Sequence, residues 1–116
     1  MKTIINNGMT AKDLFNTKTA SKTIKDYEGV IIPVYGYAIC EDTDKATKEP
    51  VQLGYIKTEN GDVIGFKSSV CLECLNDFDD FVGESKTDVT KGDIKIMFTT
   101  GQAKSGREFY TFRIVD

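Results

Sequence analysis

The sequence predicts a mainly β fold in which five strands curl into a barrel and one α-helix lies between strands 3 and 4. Apolar residues recur at three- and four-residue steps over a long stretch only in residues 68–82, and on both sides of it the period changes to two. Turn-forming Asn-Gly and Gly-containing segments separate the alternating stretches. A lone amphipathic helix must bury its apolar stripe against a sheet, so we expect a helix packed on a curled sheet.

The composition fits one globular domain. The chain has 116 residues, of which 40% are hydrophobic, and a domain of this size buries roughly two-thirds of its unfolded surface. We expect an N-terminal arm over residues 1–28, packed on the barrel or extending it, and a barrel domain over residues 29–116. No apolar run approaches the roughly 20 residues that span a bilayer, and the N-terminus lacks the apolar core of a signal peptide. We therefore expect a cytoplasmic protein with no membrane partner, and the odd number of cysteines agrees.

The arm contains one helix signal, and the first strand follows it. Thr10 and Asp13 have the spacing of a capping box, which predicts a helical turn near Leu14. Residues 30–40 form the strongest strand pattern, in which Pro33 indicates an edge or bulge and Gly36 indicates a bend. The next segment, residues 41–49, is predicted as a solvated loop. It lacks the glycine and the final glutamate of a calcium loop, so no metal is expected there.

The middle of the chain is predicted as a hairpin followed by the long helix. Residues 51–58 and 62–67 alternate, and Asn60 and Gly61 between them favour a type I′ turn. Ser68 or Ser69 provides an N-cap for the helix, and Gly83 provides a left-handed C-cap.

The last two strands follow a polar linker over residues 83–92. Residues 93–100 place Ile94, Ile96 and Phe98 inward, and residues 109–115 return after a Gly-containing loop. Five strands with a helix between the third and the fourth is the order of the OB-fold, a partly open Greek-key barrel. Other small barrels and an α+β sandwich share this order. In an OB-fold, strands 2 and 3 and the loops 41–49 and 101–107 would surround the usual oligonucleotide face.

Charge is distributed unevenly along the chain. The net charge of −3 argues against a uniformly basic nucleic-acid binder, but residues 68–85 carry five acids and no base. The predicted helix is therefore an acidic pole. A solvated helix face is the favoured explanation, and the asymmetry also allows a mildly basic surface on the strand side.

Binding of single strands without sequence preference requires cations that follow the phosphates and flat side chains on which bases stack. Residues of these types lie on the predicted strands and the last hairpin, and they are the candidate nucleic-acid-binding residues: Tyr35, Tyr37, Tyr55, Lys57, Lys67, Lys95, Lys104, Arg107 and Arg113. For each tyrosine, packing in the barrel with the hydroxyl at the rim is an equal alternative. Other aromatic residues are assigned mainly to the core: Phe66, Phe98, Phe112 and Tyr110.

Catalysis and cofactors are not expected. The chain has no histidine, which removes the commonest general base, and no serine or cysteine lies in a recognisable nucleophile turn. Cys71 and Cys74 form a C-x-x-C pair, but the βαβ context of a redox domain is missing. Both lie on the apolar stripe of the helix, where buried small hydrophobic residues are the better interpretation.

Four segments resemble a known family. They are DLFN at residues 13–16, GVIIPVYGYA at 29–38, GDVIGFKSSV at 61–70 and the terminal hairpin at 94–115. Together they are similar to the small single-stranded-DNA-binding proteins of tailed bacteriophages, notably the protein-primed replication type. The resemblance implies an OB-fold, sequence-tolerant binding of single-stranded DNA during phage genome replication in the host bacterial cytoplasm, phage replication proteins as further partners, and no catalysis. A long acidic tail, common in such proteins, does not follow Val115, so recruitment through such a tail is not expected.

The acidic total also fits a second class of function. A non-enzymatic small β module that binds a protein partner in phage–host interaction or assembly would use the acidic helix rather than the basic strand residues. The sequence is compatible with both a monomer and a dimer.

Overall fold

The computed structural model describes residues 2–19 and 22–115, and it is mainly β, as the sequence predicts. The strands are β1 (Lys2–Asn7), β2 (Ile31–Pro33), β3 (Gly36–Thr43), β4 (Pro50–Lys57), β5 (Val63–Phe66), β6 (Lys95–Gln102) and β7 (Glu108–Val115). The helices are α1 (Ala11–Asn16) and α2 (Ser69–Ser85), with 3₁₀ turns at Thr17–Thr19, Ile24–Tyr27 and Val89–Lys91.

The strands form two antiparallel sheets rather than the predicted five-stranded barrel. The first sheet has the order β1-β3-β4-β5, and the second has the order β2-β6-β7. Within the described residues β5 and β7 are not paired, so the strands do not close into a ring. We call the gap between β5 and β7 the seam.

The predicted first strand over residues 30–40 is in fact two strands, one in each sheet. β2 pairs with β6, and β3 pairs with β1 and β4. The chain bends between them at Gly36, where a Cβ would lie 2.9 Å from the backbone of Gly8, so only glycine fits. Pro33 ends β2, as expected for a residue without an N–H group to donate.

This bend changes which residues face the core. Ile32 and Val34 are buried before it, and Tyr37 and Ile39 are buried in the same cluster after it. The buried positions are therefore even-numbered before the bend and odd-numbered after it. A strictly alternating pattern through residues 30–40 places Tyr37 on the wrong face.

The N-terminal arm contributes to the first sheet in two ways. β1 pairs with β3 at the sheet edge, and α1 lies on the outer face of the sheet. The capping box is confirmed, because the Asp13 amide donates to the Thr10 hydroxyl and the Thr10 amide donates to the Asp13 carboxylate. Met9 and Leu14 pack there against a second, smaller apolar cluster that includes Tyr55.

The β4–β5 hairpin is confirmed, but its turn type is not. Gly61 has a positive φ of 80°, whereas Asn60 does not, so a type I′ turn is wrong. The Gly61 amide donates to the Thr58 carbonyl and the Thr58 amide donates to the Asp62 carbonyl, which is a type I turn followed by a left-handed glycine. The loop before it is shorter than predicted, because β3 continues to Thr43 and β4 begins at Pro50.

Helix α2 begins after Ser68, as predicted, but it continues past Gly83 to Ser85. A glycine inside a helix costs only about 1 kcal/mol, and the left-handed C-cap is Lys86, with φ of 55°. The helix buries Leu75, Phe78 and Val82. No helix among the described residues is both long enough and apolar enough to cross a membrane.

Aromatic rings connect the two sheets where the strands do not pair. The ring of Phe98 on β6 lies edge-on to that of Phe66 on β5 at 6.3 Å and to that of Phe112 on β7 at 5.5 Å between centroids. The alternation of β6 is confirmed, since Ile94, Ile96 and Phe98 are all buried. Packing in the core therefore connects the two sheets at the seam, where the described strands β5 and β7 share no backbone ladder.

Candidate nucleic-acid interface

Three adjoining cavities form one groove that runs from the outer face of β4 and β5 to the seam. Their volumes are about 300, 270 and 760 Å³, and each shares Lys67 with the others. We call this the seam groove. It is lined by Thr17 and residues 22–25, by β4, by β5, by the start of α2 and by the β6–β7 hairpin, and its charged and aromatic side chains include Lys22, Lys25, Tyr55, Lys67, Arg107, Phe109 and Tyr110.

The lining of the groove is cationic. Lys22, Lys25, Lys67 and Arg107 line it, and among the lining residues Glu108 is the sole carboxylate. Lys67 and Arg107 are exposed, so their charged ends reach solvent. This excess of positive charge contrasts with the net charge of −3 for the whole chain. The groove is therefore a locally positive region of an acidic chain.

The N-terminus of α2 opens into the largest of the three cavities. Ser68, Ser69 and Val70 line that cavity. The Ser68 side chain makes no capping hydrogen bond, and the first turn contains no acid. The amides of the first turn and the helix dipole therefore add positive potential where Lys67 and Arg107 already provide it.

Two half-buried rings border the groove on β7. Phe109 covers Gly101 of β6, where a Cβ would come within 2.7 Å of the ring, so glycine is required for this contact. Tyr110 packs against the core and also lines the groove. The predicted core position of Tyr110 is therefore confirmed only in part, because its ring also borders the groove. Both rings leave an edge or a face accessible to a base.

The predicted cations at the end of β5 and in the last hairpin separate into two groups. Lys67 and Arg107 line the groove, and Lys104 is exposed in the tight turn that bounds it, where the Gly106 amide donates to the Ala103 carbonyl at 2.9 Å. Lys95 and Arg113 are also exposed but line none of the three cavities.

Lys57 is engaged within the protein and does not line the groove. Its Nζ lies 2.9 Å from Asp13 Oδ2, and its side chain is 25% exposed. Partial burial raises the pKa of Asp13, but hydrogen bonds from Thr10 and Lys57 outweigh it and bring the pKa below its ordinary value. The charge of Lys57 is thus already balanced, and its prediction as a phosphate contact is not supported.

The prediction that Tyr37 stacks on bases is wrong for this structure, and Tyr55 is largely buried. The Tyr37 ring is fully buried, lies edge-on to Phe78 at 5.3 Å and donates its hydroxyl to Asp79 Oδ1 at 2.6 Å. Tyr55 is 7% exposed beneath the N-terminal arm, where it lines the inner wall of the first of the three cavities. Tyr35 is half-buried, and its ring occupies the space that a Cβ on Gly92 would need. The alternative interpretation, packing in the core, holds for the first two.

Replacing Tyr37 by phenylalanine should lower stability without changing nucleic-acid affinity. Losing the hydrogen bond to Asp79 should reduce the free energy of unfolding by about 1–2 kcal/mol at neutral pH. Burial and the Asp79 contact raise the pKa of Tyr37 in the folded state, so its stabilising contribution is complete well below pH 10 and decreases progressively as the pH rises from 10 toward the higher pKa of the folded state. Urea unfolding of both proteins at several pH values should show their stabilities converging above pH 10. A constant difference up to pH 11 would contradict this interpretation.

Sequence reasoning missed Lys22, Lys25 and the start of α2. Lys22 forms a bridge with Ile64 of β5, and the Gly65 amide donates to the Lys22 carbonyl at 3.3 Å, which draws the connection onto the seam. The signal in the sequence was the excess of lysine in residues 1–28, but nothing in the local pattern indicated that this segment crosses to β5.

The thiols are held as neutral packing groups. Burial raises the pKa of Cys71 to about 12, with the neighbouring Cys74 adding to the effect. Cys74 is partly buried and donates its Sγ–H to the Phe112 carbonyl at 3.1 Å. Thiolate chemistry at neutral pH is therefore disfavoured at this pair. Within the part of the chain that the structure describes, no group of three potential metal ligands comes together.

Comparison of the chain with protein-family models, with curated proteins and with solved structures finds no match.

Proposed function

We propose that the protein binds single-stranded DNA without sequence specificity in the seam groove and protects it during phage genome replication. The observation that carries the proposal is the charge of the groove, with four cations and one carboxylate among its lining residues in an otherwise acidic chain. Single-strand binders combine such a positive groove with aromatic rings on which bases stack. The phage context, and replication proteins as further partners, rest on the resemblance of four segments of the sequence.

The connectivity supports an OB-type barrel that is open at the seam. β2 and β3 together act as a first strand shared by both sheets, and β4, β5, α2, β6 and β7 follow in OB order. The proposed binding surface differs from the usual OB face in one respect. The N-terminal arm covers the outer face of β4, so the groove beside β5 is the accessible part.

A bound strand would use the groove in two ways. Lys22, Lys25, Lys67 and Arg107 would follow consecutive phosphates, and the rings of Phe109 and Tyr110 would contact bases. Every base has a π-face, so stacking discriminates little between sequences. No step of bond making or breaking is required, which agrees with the absence of histidine from the sequence.

A fluorescence titration of labelled oligo-dT at several salt concentrations tests the proposal. Because neutralised phosphates release counterions, the logarithm of affinity should fall linearly with the logarithm of salt concentration, with a slope of about −3 for four contacts. Duplex DNA of the same length is the control and should bind more weakly. Absence of binding at low salt would contradict the proposal.

A second candidate is the binding of a protein partner, favoured by a specific apolar feature. A cavity of about 190 Å³ lies between α2 and β7, with Phe81 and Ile114 exposed at its border. A partner docked there would be insensitive to changes in the seam groove. The groove variants described in the Discussion therefore separate the two functions.

A further inference from the structure

One acidic surface on the molecule lies on the exposed side of α2. Its carboxylates follow one stripe of the helix at spacings of four, three and four residues, and all are exposed: Glu73, Asp77, Asp80 and Glu84. Residues 68–85 contain no base that could balance them. Phe81, which is 41% exposed, lies beside the stripe. The surface is thus strongly negative with one apolar anchor.

A complementary surface is the outer face of the second sheet. Its register places Ile31, Met97 and Arg113 side by side, and it places Lys95 beside Val115. Ile31 is 54% exposed, although its neighbour Ile32 on the opposite face is buried. None of the outward positions along β2, β6 and β7 carries a carboxylate. This surface is therefore positive and apolar.

We infer that α2 of one copy of the protein docks on the outer face of the second sheet of another copy. The two surfaces are opposite in charge, and each carries an exposed apolar residue, Phe81 on the helix and Ile31 on the sheet. They also match in length, since 17 helical residues extend about 25 Å and eight strand residues about 26 Å. The contact joins two different surfaces, so copies associate head to tail.

The alternative of pairing between two β7 edges is disfavoured by the structure. β7 is an edge strand of the second sheet, but α2 packs against it, and Cys74 donates to the Phe112 carbonyl. A continuous sheet through two β7 strands would also bring two α2 helices close together, each with five acids. The acidic side chains of the two helices would then repel each other, so the head-to-tail contact is the more favourable arrangement.

The contact is independent of nucleic acid and can be tested without it. Sedimentation equilibrium of the natural chain should show reversible association at about 10 mM salt, where charges act over about 30 Å, and monomers at about 1 M salt, where they act over about 3 Å. A contact made largely by exposed charges is weak, so we expect a dissociation constant on the order of 100 μM.

A charge exchange identifies the two surfaces. A helix variant (Asp77→Lys with Asp80→Lys) and a sheet variant (Lys95→Glu with Arg113→Glu) should each associate at least about tenfold more weakly than the natural chain. An equimolar mixture should recover association, because each variant then meets a partner of opposite charge. Lys86→Glu with Lys91→Glu, which reverses two charges beyond the C-terminal end of α2, is the matched control and should associate normally.

Three results would overturn the inference. They are a natural chain that stays monomeric at about 1 mM protein and low salt, variants that associate as the natural chain does, and a mixture that recovers nothing. If a lysine or glutamate variant fails to fold, Asp77→Asn with Asp80→Asn and Lys95→Gln with Arg113→Gln replace them and must still weaken association. A sheet variant that loses DNA affinity yet associates normally would assign that face to a nucleic-acid strand instead.

Discussion

Reversing Lys67 and Arg107 to glutamate together is expected to weaken binding of oligo-dT about 100-fold at low salt. Each is an exposed cation in the largest cavity of the seam groove, beside the N-terminus of α2. A charge-assisted hydrogen bond to a phosphate contributes about 1.5 kcal/mol or more, so losing two corresponds to about 3 kcal/mol. The salt dependence should also become shallower, by about 0.7 in slope for each phosphate that the protein no longer neutralises. Fluorescence titration over a range of salt concentrations measures both effects.

The matched control for this experiment is Lys86→Glu with Lys91→Glu. It changes the net charge by the same amount, but Lys86 and Lys91 lie beyond the C-terminal end of α2, far from its N-terminus. Affinity should fall less than about threefold, which reflects only the long-range field. Equal losses in both double variants would mean that net charge, rather than the groove, determines binding. An unchanged affinity in the groove variant would favour the protein-binding alternative.

Replacing Phe98 by alanine is expected to lower the free energy of unfolding by about 3–5 kcal/mol. The ring is fully buried and contacts Phe66 of the first sheet and Phe112 of the second. Since β5 and β7 are not paired, these contacts carry much of the attachment across the seam. A decrease of this size is a large part of the stability of a typical domain. Urea unfolding followed by circular dichroism measures it.

Phe98→Leu is the conservative companion and should cost much less, because most of the buried volume is retained. In the alanine variant we also expect weaker binding of oligo-dT, since Phe66 lines the groove and would no longer be supported by the Phe98 ring. A decrease of less than about 1 kcal/mol in the alanine variant would mean that the two sheets are held together by other contacts.

Much of the secondary structure could be predicted, because its causes are local. The capping box at Thr10 and Asp13 depends on two residues that are three positions apart. The alternation of buried and exposed residues in β6 depends only on the sequence of that strand. The helix end was predicted too early, since a glycine permits a left-handed cap but does not enforce one. The helix instead ends at Ser85, and its left-handed cap is Lys86, a residue with no preference for that conformation.

The site was predicted less well, for a reason visible in Tyr37. Alternation identifies two faces of a strand but does not say which face is buried, and the bend at Gly36 exchanges them along residues 30–40. Lys57 shows a second reason. Its strand position indicates a surface cation, but Asp13, 44 residues away in the chain, neutralises it. Neither effect leaves a trace in the local sequence.

The sequence by itself determined the mainly β class, the place of the long helix, its acidic character and the apolar residues of β6, because each depends on residues close together in the chain. The tertiary structure alone decided that the sheets separate at the seam, that Lys22 and Lys25 join Lys67 and Arg107 there, and that two of the three candidate tyrosines lie in the core. These features depend on contacts between segments far apart in the chain. Their geometry follows from how the elements pack, which no local pattern records.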